Sequence, residues 1–161
     1  ALWFGAVARP GVRRAALVLR GGETHELTAA ADAPAEPVRG LGAFVHEPDG
    51  SVIRARLVGE VARAQNAGML SAGIAYSTGD DPAPSPFSTT FRVREVLPFE
   101  TKALARALRE RGIGILEIKK RGIDIDPARL RTALKLRGPE SATLILTRIG
   151  ERRTALLADR V

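Results

Sequence analysis

"RGIGILEIKKRGIDIDPARLRTAL", residues 111–134, is the stretch that decides the fold. Its apolar run, Ile115 to Lys119, has the length of a strand, breaks into Lys119-Lys120-Arg121-Gly122 and closes on Asp124 and Asp126. Asp126 followed by Pro127 reads as a helix N-cap with proline at the first helical position, where a missing N–H costs nothing. Leu130, Ala133 and Leu134 then set a buried stripe, and Gly138-Pro139 ends the helix. Upstream, "STTFRVREVL" (88–97) alternates as a strand with Phe91, Val93 and Glu95 on one face. Thr101 to Arg111 follows as an amphipathic helix, with Leu104, Ala107 and Leu108 inward, Lys102, Arg106 and Arg109 outward, and Gly112 as its stop. Downstream, "ATLILTRI" (142–149) and "RRTALLADRV" (152–161) are two strands joined across Gly150-Glu151. Strand, helix, strand, helix, strand, strand predicts an α+β fold, a mixed β-sheet with helices packed on one side. The strand-helix-strand units favour parallel neighbours, and the closing hairpin is antiparallel.

The earlier part of the chain is less regular. Arg13 to Leu19 reads as a strand that turns at Gly21-Gly22 toward a second around Thr24 to Leu27. "AAADAPAEP" (29–37) and "TGDDPAPSPFS" (78–88) are loops, and a boundary is expected in the first. "EPDGS" (47–51) offers Asp49 or Ser51 as N-cap of one helix carrying Ile53, Leu57, Val58 and Val61, running to about Asn66. "GIAYST" (73–78) is a short strand. The opening "ALWFGAVA" lacks the charged n-region of a signal peptide and is expected to be the end of a helix.

Charge separates the two parts. Residues 1–98 carry ten Lys+Arg against ten Asp+Glu, whereas residues 99–161 carry fifteen against eight, so the whole net charge of +7 lies in the last third. Such asymmetry points to a nucleic-acid or other anionic partner, although an Arg-rich vocabulary, 21 of the 25 basic residues, also suits a composition bias. The chain has no cysteine, which fits a reducing, cytoplasmic setting and excludes thiolate chemistry and cysteine metal sites. No apolar run approaches the roughly 18 residues of a membrane span.

Catalytic constellations are absent from the pattern. A cofactor loop belongs between a strand and a helix, but Gly112-Ile113-Gly114 falls between a helix and a strand, and Gly40-Leu41-Gly42 lies in a loop. Asp126 serves as a cap and Asp80-Asp81 as turn residues, while His25 and His46 lack a partner at any recognisable spacing. Aromatic residues make up 4% of the chain and none interleaves with the basic run, so base stacking is poorly supplied.

"LWFG" (2–5) with "RRAALVL" (13–19), "HEPDGSVIRARLV" (46–58), "IAYSTGD" (74–80), "FRVREVLPF" (91–99), the block 111–148 and the closing "RRTALLADRV" together resemble the C-terminal part of a bacterial family of class I S-adenosylmethionine-dependent methyltransferases ending in a THUMP-like domain. The resemblance implies that residues 1–28 are the last helix and strands of a catalytic domain, 29–87 a linking α/β segment and 88–161 a basic THUMP-like domain. The family's glycine-rich loop for S-adenosylmethionine has no counterpart here, so no cofactor and no catalysis are expected of this chain itself. The implied role is an RNA-binding accessory region that presents structured RNA, such as transfer RNA, to the methyltransferase domain of the same polypeptide. On this reading Lys119, Lys120, Arg121, Gly122, Arg129, Arg131, Lys135 and Arg137 face RNA, with Gly122 allowing close approach. The rival reading is a docking module for the methyltransferase domain in which the basic run is a solvated loop and Lys135 and Arg137 complement a helix C-terminus.

Overall fold

A computed structural model describes residues 4–161. After a single 3-10 turn at Gly5–Val7, the elements are β1 (Arg14–Arg20), β2 (Glu23–Ala29), β3 (Phe44–Pro48), α1 (Gly50–Arg54), α2 (Val58–Ala64), β4 (Gly68–Ser71), β5 (Ile74–Gly79), β6 (Ser88–Leu97), α3 (Thr101–Glu110), β7 (Ile113–Lys120), α4 (Pro127–Leu134), β8 (Glu140–Ile149) and β9 (Arg152–Arg160). Leu2 and Trp3 of the expected N-terminal helix lie outside the described residues.

The predicted α+β architecture is present. Seven strands form one mixed sheet in the order β4-β5-β3-β6-β9-β8-β7, and β1 and β2 form a separate antiparallel hairpin. Strands β7 and β8 are parallel, joined through α4 as a strand-helix-strand unit requires, and β8 and β9 are an antiparallel hairpin. On the helix side of the sheet, Leu104 and Leu108 of α3 and Leu130 and Leu134 of α4 pack on Leu97, Leu116, Leu144, Leu146, Ala155 and Leu157. The opposite side holds a second core of Val45, Leu70, Ile74, Tyr76, Phe91, Ile145 and Leu156. That second core exists because the sheet curls until β4 touches β8, although the two are far apart in the strand order.

Several expectations are corrected. The single helix after Asp49 is two: α1 is N-capped by Asp49, which accepts from Ser51 N at 2.7 Å, and the chain then breaks at Arg56, whose φ is +59°. The buried stripe is consequently Val52, Leu57 and Val61, packed with Ala16 of the hairpin, and Ile53 is only half-buried. Two strands, β3 and β4, escaped the pattern because they are short and their residues, such as His46 and Ser71, are buried without an apolar alternation. Ala133 is exposed; Lys135, in left-handed conformation at φ +48°, closes α4 three residues before Gly138. Finally, a bulge between Val93 and Glu95 gives β6 one extra residue opposite β9, which moves Glu95 to the helix side. There it meets Arg111 at 2.6 Å, tying the end of α3 to the sheet.

Residues 29–87, read from the sequence as a linking α/β segment, contribute β3, β4 and β5 to the main sheet. Their strand β3 pairs with β6 from Phe44↔Arg92 to Pro48↔Ser88, so the boundary at residue 88 runs through a continuous sheet.

Candidate nucleic-acid interface

Strand alternation divides the basic run. Lys120 has the same side as Leu116 and Ile118, faces the helix layer and is exposed. Lys119 points to the opposite side, where its ammonium lies 2.7 Å from Glu47 Oε2, 3.5 Å from Glu117 Oε1 and 5.5 Å from the Phe91 ring centre. Arg121 follows Lys119 inward, its guanidinium 5.3 Å from the ring of fully buried Tyr76. Thus Lys119 and Arg121 do not form an outward tip with Lys120. Gly122 is also used internally: at φ +72° it backs onto β5, and a Cβ there would come within 2.5 Å of Ile74 Cδ1.

The inward charges form a network. Arg160 donates to both oxygens of Glu117, at 3.0 and 3.2 Å, and Thr143 donates to Glu117 Oε2 at 3.1 Å. Burial works to raise the Glu117 carboxyl, but Arg160, Lys119 and Thr143 together hold it below its ordinary value. Burial, reinforced by the Glu47 carboxylate, pushes the Tyr76 phenol well up.

The other predicted residues sit along α4 and after it. Asp126 caps the helix through Ala128 N at 2.8 Å and Arg129 N at 3.3 Å, and the exposed Arg129 side chain lies 3.5 Å from that same carboxylate. Arg131 Nη1 donates to Leu116 O at 2.6 Å, covering one carbonyl on the free edge of β7. Lys135 and Arg137 are exposed at the far end of α4, and neither makes an ion pair among the described residues. The eight residues therefore spread over two faces of the sheet and both ends of α4.

Sequence reasoning missed three arginines of the β8–β9 hairpin. Its register sets Arg148 directly opposite Arg153, and Ile149 opposite Arg152. The signal was present: a two-residue turn at Gly150-Glu151 fixes that pairing once the hairpin is recognised. On α3, Lys102, Arg106 and Arg109 point outward as expected, with Arg109 donating to Leu134 O at 3.2 Å and so capping α4.

The remaining candidates have structural roles. His46 is fully buried, its Nδ1 3.0 Å from Thr90 Oγ1 and 3.3 Å from Gln65 Nε2, and burial lowers its pKa to about 4. His25 lies edge-on to Phe87, and Asp80 pairs with Arg39 at 2.6 Å. Among the described residues there is no cluster of potential metal ligands. The glycine pairs are also used internally. A Cβ at Gly114 would sit 1.9 Å from Gly138 O and one at Gly42 2.4 Å from Gly79 O, so both glycines serve close approach of the chain to itself. No helix among the described residues is long and apolar enough to cross a membrane.

Residues 88–160 match the family described as THUMP domain-like. Over 150 residues the chain is 37% identical to proteins from two strains of Mycobacterium tuberculosis, CDC 1551 / Oshkosh and H37Rv, each named an uncharacterized S-adenosylmethionine-dependent methyltransferase. The match covers 92% of this chain and 40% of each relative, so the chain spans about two fifths of the length of the curated relatives it matches. A crystal structure described as that of a putative methyltransferase from Porphyromonas gingivalis W83 shares the fold at a TM-score of 0.68 and 22% identity, covering 89% of this chain and 36% of that one. Residues 88–160 are a THUMP-like region, and the chain is similar over 150 residues to proteins named as S-adenosylmethionine-dependent methyltransferases.

Proposed function

We propose that this chain is the non-catalytic, RNA-binding accessory region of an S-adenosylmethionine-dependent RNA methyltransferase, positioning structured RNA such as transfer RNA for a catalytic domain of the same polypeptide. The observation that carries the reading is the concentration of the entire +7 charge in residues 99–161, within and beside the matched THUMP-like domain. Much of that charge stands on the outer surface of the helix layer and its flanks, at Lys102, Arg106, Lys120, Arg131, Lys135 and Arg137, all exposed. Phosphate contacts from such residues position an RNA without reading its bases. The buried aromatics are engaged by the protein's own cations, Phe91 by Lys119 and Arg160 and Tyr76 by Arg121, which leaves them unavailable for base stacking and favours a duplex or folded RNA. Filter binding of labelled transfer RNA to the full chain tests this: saturable retention supports the reading, and none at low salt removes it.

A specific feature also supports docking by the N-terminal hairpin. Strand β1 is apolar on both faces: Ala16 and Val18 are buried, Ala16 among Val52, Ala55 and Leu57, while Leu17 and Leu19 are 53% and 75% exposed. Such a strand suits a sheet covered on both sides, and the methyltransferase domain of the parent protein would supply the missing cover. Docking would then use the N-terminal hairpin and RNA binding the C-terminal basic region, so the two do not exclude each other.

A further inference from the structure

We infer that the RNA-contacting centre is a cationic row at the carboxyl ends of β7 and β8, formed by Lys120, Arg148 and Arg153, rather than the Lys135–Arg137 end of α4. The inference rests on the RNA-binding reading above and assigns it a place. Register supplies the geometry. Lys120 pairs with Leu146, Leu146 with Ala155, and the next position on the same side of β8 and β9 holds Arg148 opposite Arg153. Lys120 and Arg148 are thus diagonal neighbours, and Arg148 and Arg153 direct ones, at separations of about 7–8 and about 5 Å between side-chain bases.

Like charges placed directly opposite each other on a sheet cost stability. Nothing in the fold offsets this pair well. The Arg148 guanidinium is tied by Nε to Gly122 O at 3.0 Å, and its nearest acid, Glu151, stands 3.5 Å away with a side chain 98% exposed. Lys120 and Arg153 make no ion pair among the described residues. The other acids near this end, Glu100 and Asp126, have oxygens engaged by backbone N–H groups as helix caps, and Asp124 lies in the connecting loop. A phosphate backbone laid along the row neutralises the repulsion and is held by the paired strands β8 and β9. At the other end, Lys135 and Arg137 follow a helix C-terminus, where cations have an ordinary structural reason to stand.

The experiment compares two full-length variants of equal charge change, Lys120→Ala with Arg153→Ala and Lys135→Ala with Arg137→Ala, in transfer RNA binding across a salt series. Loss of two phosphate contacts should lower the log–log salt slope of the first variant by about 1.5, at about 0.7 to 0.9 per phosphate, while the second stays close to wild type. Near-UV circular dichroism checks that both are folded, and Arg153→Glu is expected to weaken binding further. If the second variant loses the slope and the first does not, the row is overturned while RNA binding stands. If both lose it equally, the contact is diffuse and the row is again overturned. If wild type binds no RNA, both the row and the reading beneath it fall.

Discussion

Lys119 Nζ stands 2.7 Å from Glu47 Oε2, although β7 and β3 are separated in the sheet by β6, β9 and β8. The pair spans the curled inner face and joins the THUMP-like domain to the segment before it. Both side chains are about four-fifths buried, at 19% and 20% exposure, so removal of one leaves a poorly solvated charge. Lys119→Ala is therefore expected to lower stability to denaturant by about 1–3 kcal/mol, whereas Lys120→Ala stays within about 0.5 kcal/mol. Equal, small losses for the two variants would show that the inner pair contributes little.

The buried imidazole of His46 gives a pH dependence. Its pKa falls to about 4 in the folded protein because burial disfavours the cation, against 6.5 for the free side chain. Between these values the unfolded chain binds more protons, so folding stability is full above pH 6.5 and declines as pH falls toward 4, by at most roughly 3 kcal/mol. Urea unfolding at pH 7 and pH 4.5 measures it. His46→Gln, neutral throughout, should lose most of the dependence, and an unchanged dependence in that variant would assign it to other groups.

Asp126 is expected to matter for folding rather than for RNA. Its carboxylate accepts from Ala128 N and Arg129 N, and removing such a cap costs about 1 kcal/mol. Asp126→Ala should show that loss in denaturant unfolding, Asp126→Asn should recover most of it, and a silent Asp126→Ala would mean that α4 is held by Leu130 and Leu134 alone.

The parts of the fold legible in the sequence were those with a clean period. α3 is amphipathic, with Leu104 and Leu108 buried, and Asp126-Pro127 announces α4 by local chemistry alone. Hidden features depend on tertiary context. No periodicity reveals that the sheet curls and turns Lys119 toward Glu47, or that a bulge moves Glu95 across the sheet. The basic run was visible as composition, but its division between two faces follows from the two-residue period of β7, which assigns Lys120 to one side and Lys119 with Arg121 to the other. Arg153 was visible too, and its place beside Arg148 required reading the register through the turn.

Titration calorimetry of the chain with S-adenosylmethionine is expected to give no stoichiometric heat, because Gly42 and Gly114 are closed against Gly79 and Gly138. A micromolar one-to-one site would contradict that assignment of the glycines.

Engagement of folded RNA phosphates by the basic THUMP-like region is tested by measuring the affinity of the full chain for folded transfer RNA and for an unstructured RNA of equal length over about 50 to 200 mM salt. Binding to both is expected, weakening linearly in log–log form, with the folded RNA retaining the higher affinity throughout, since shape rather than sequence is selected. Absence of binding at 50 mM salt, or equal affinity for the two RNAs across the series, would contradict it.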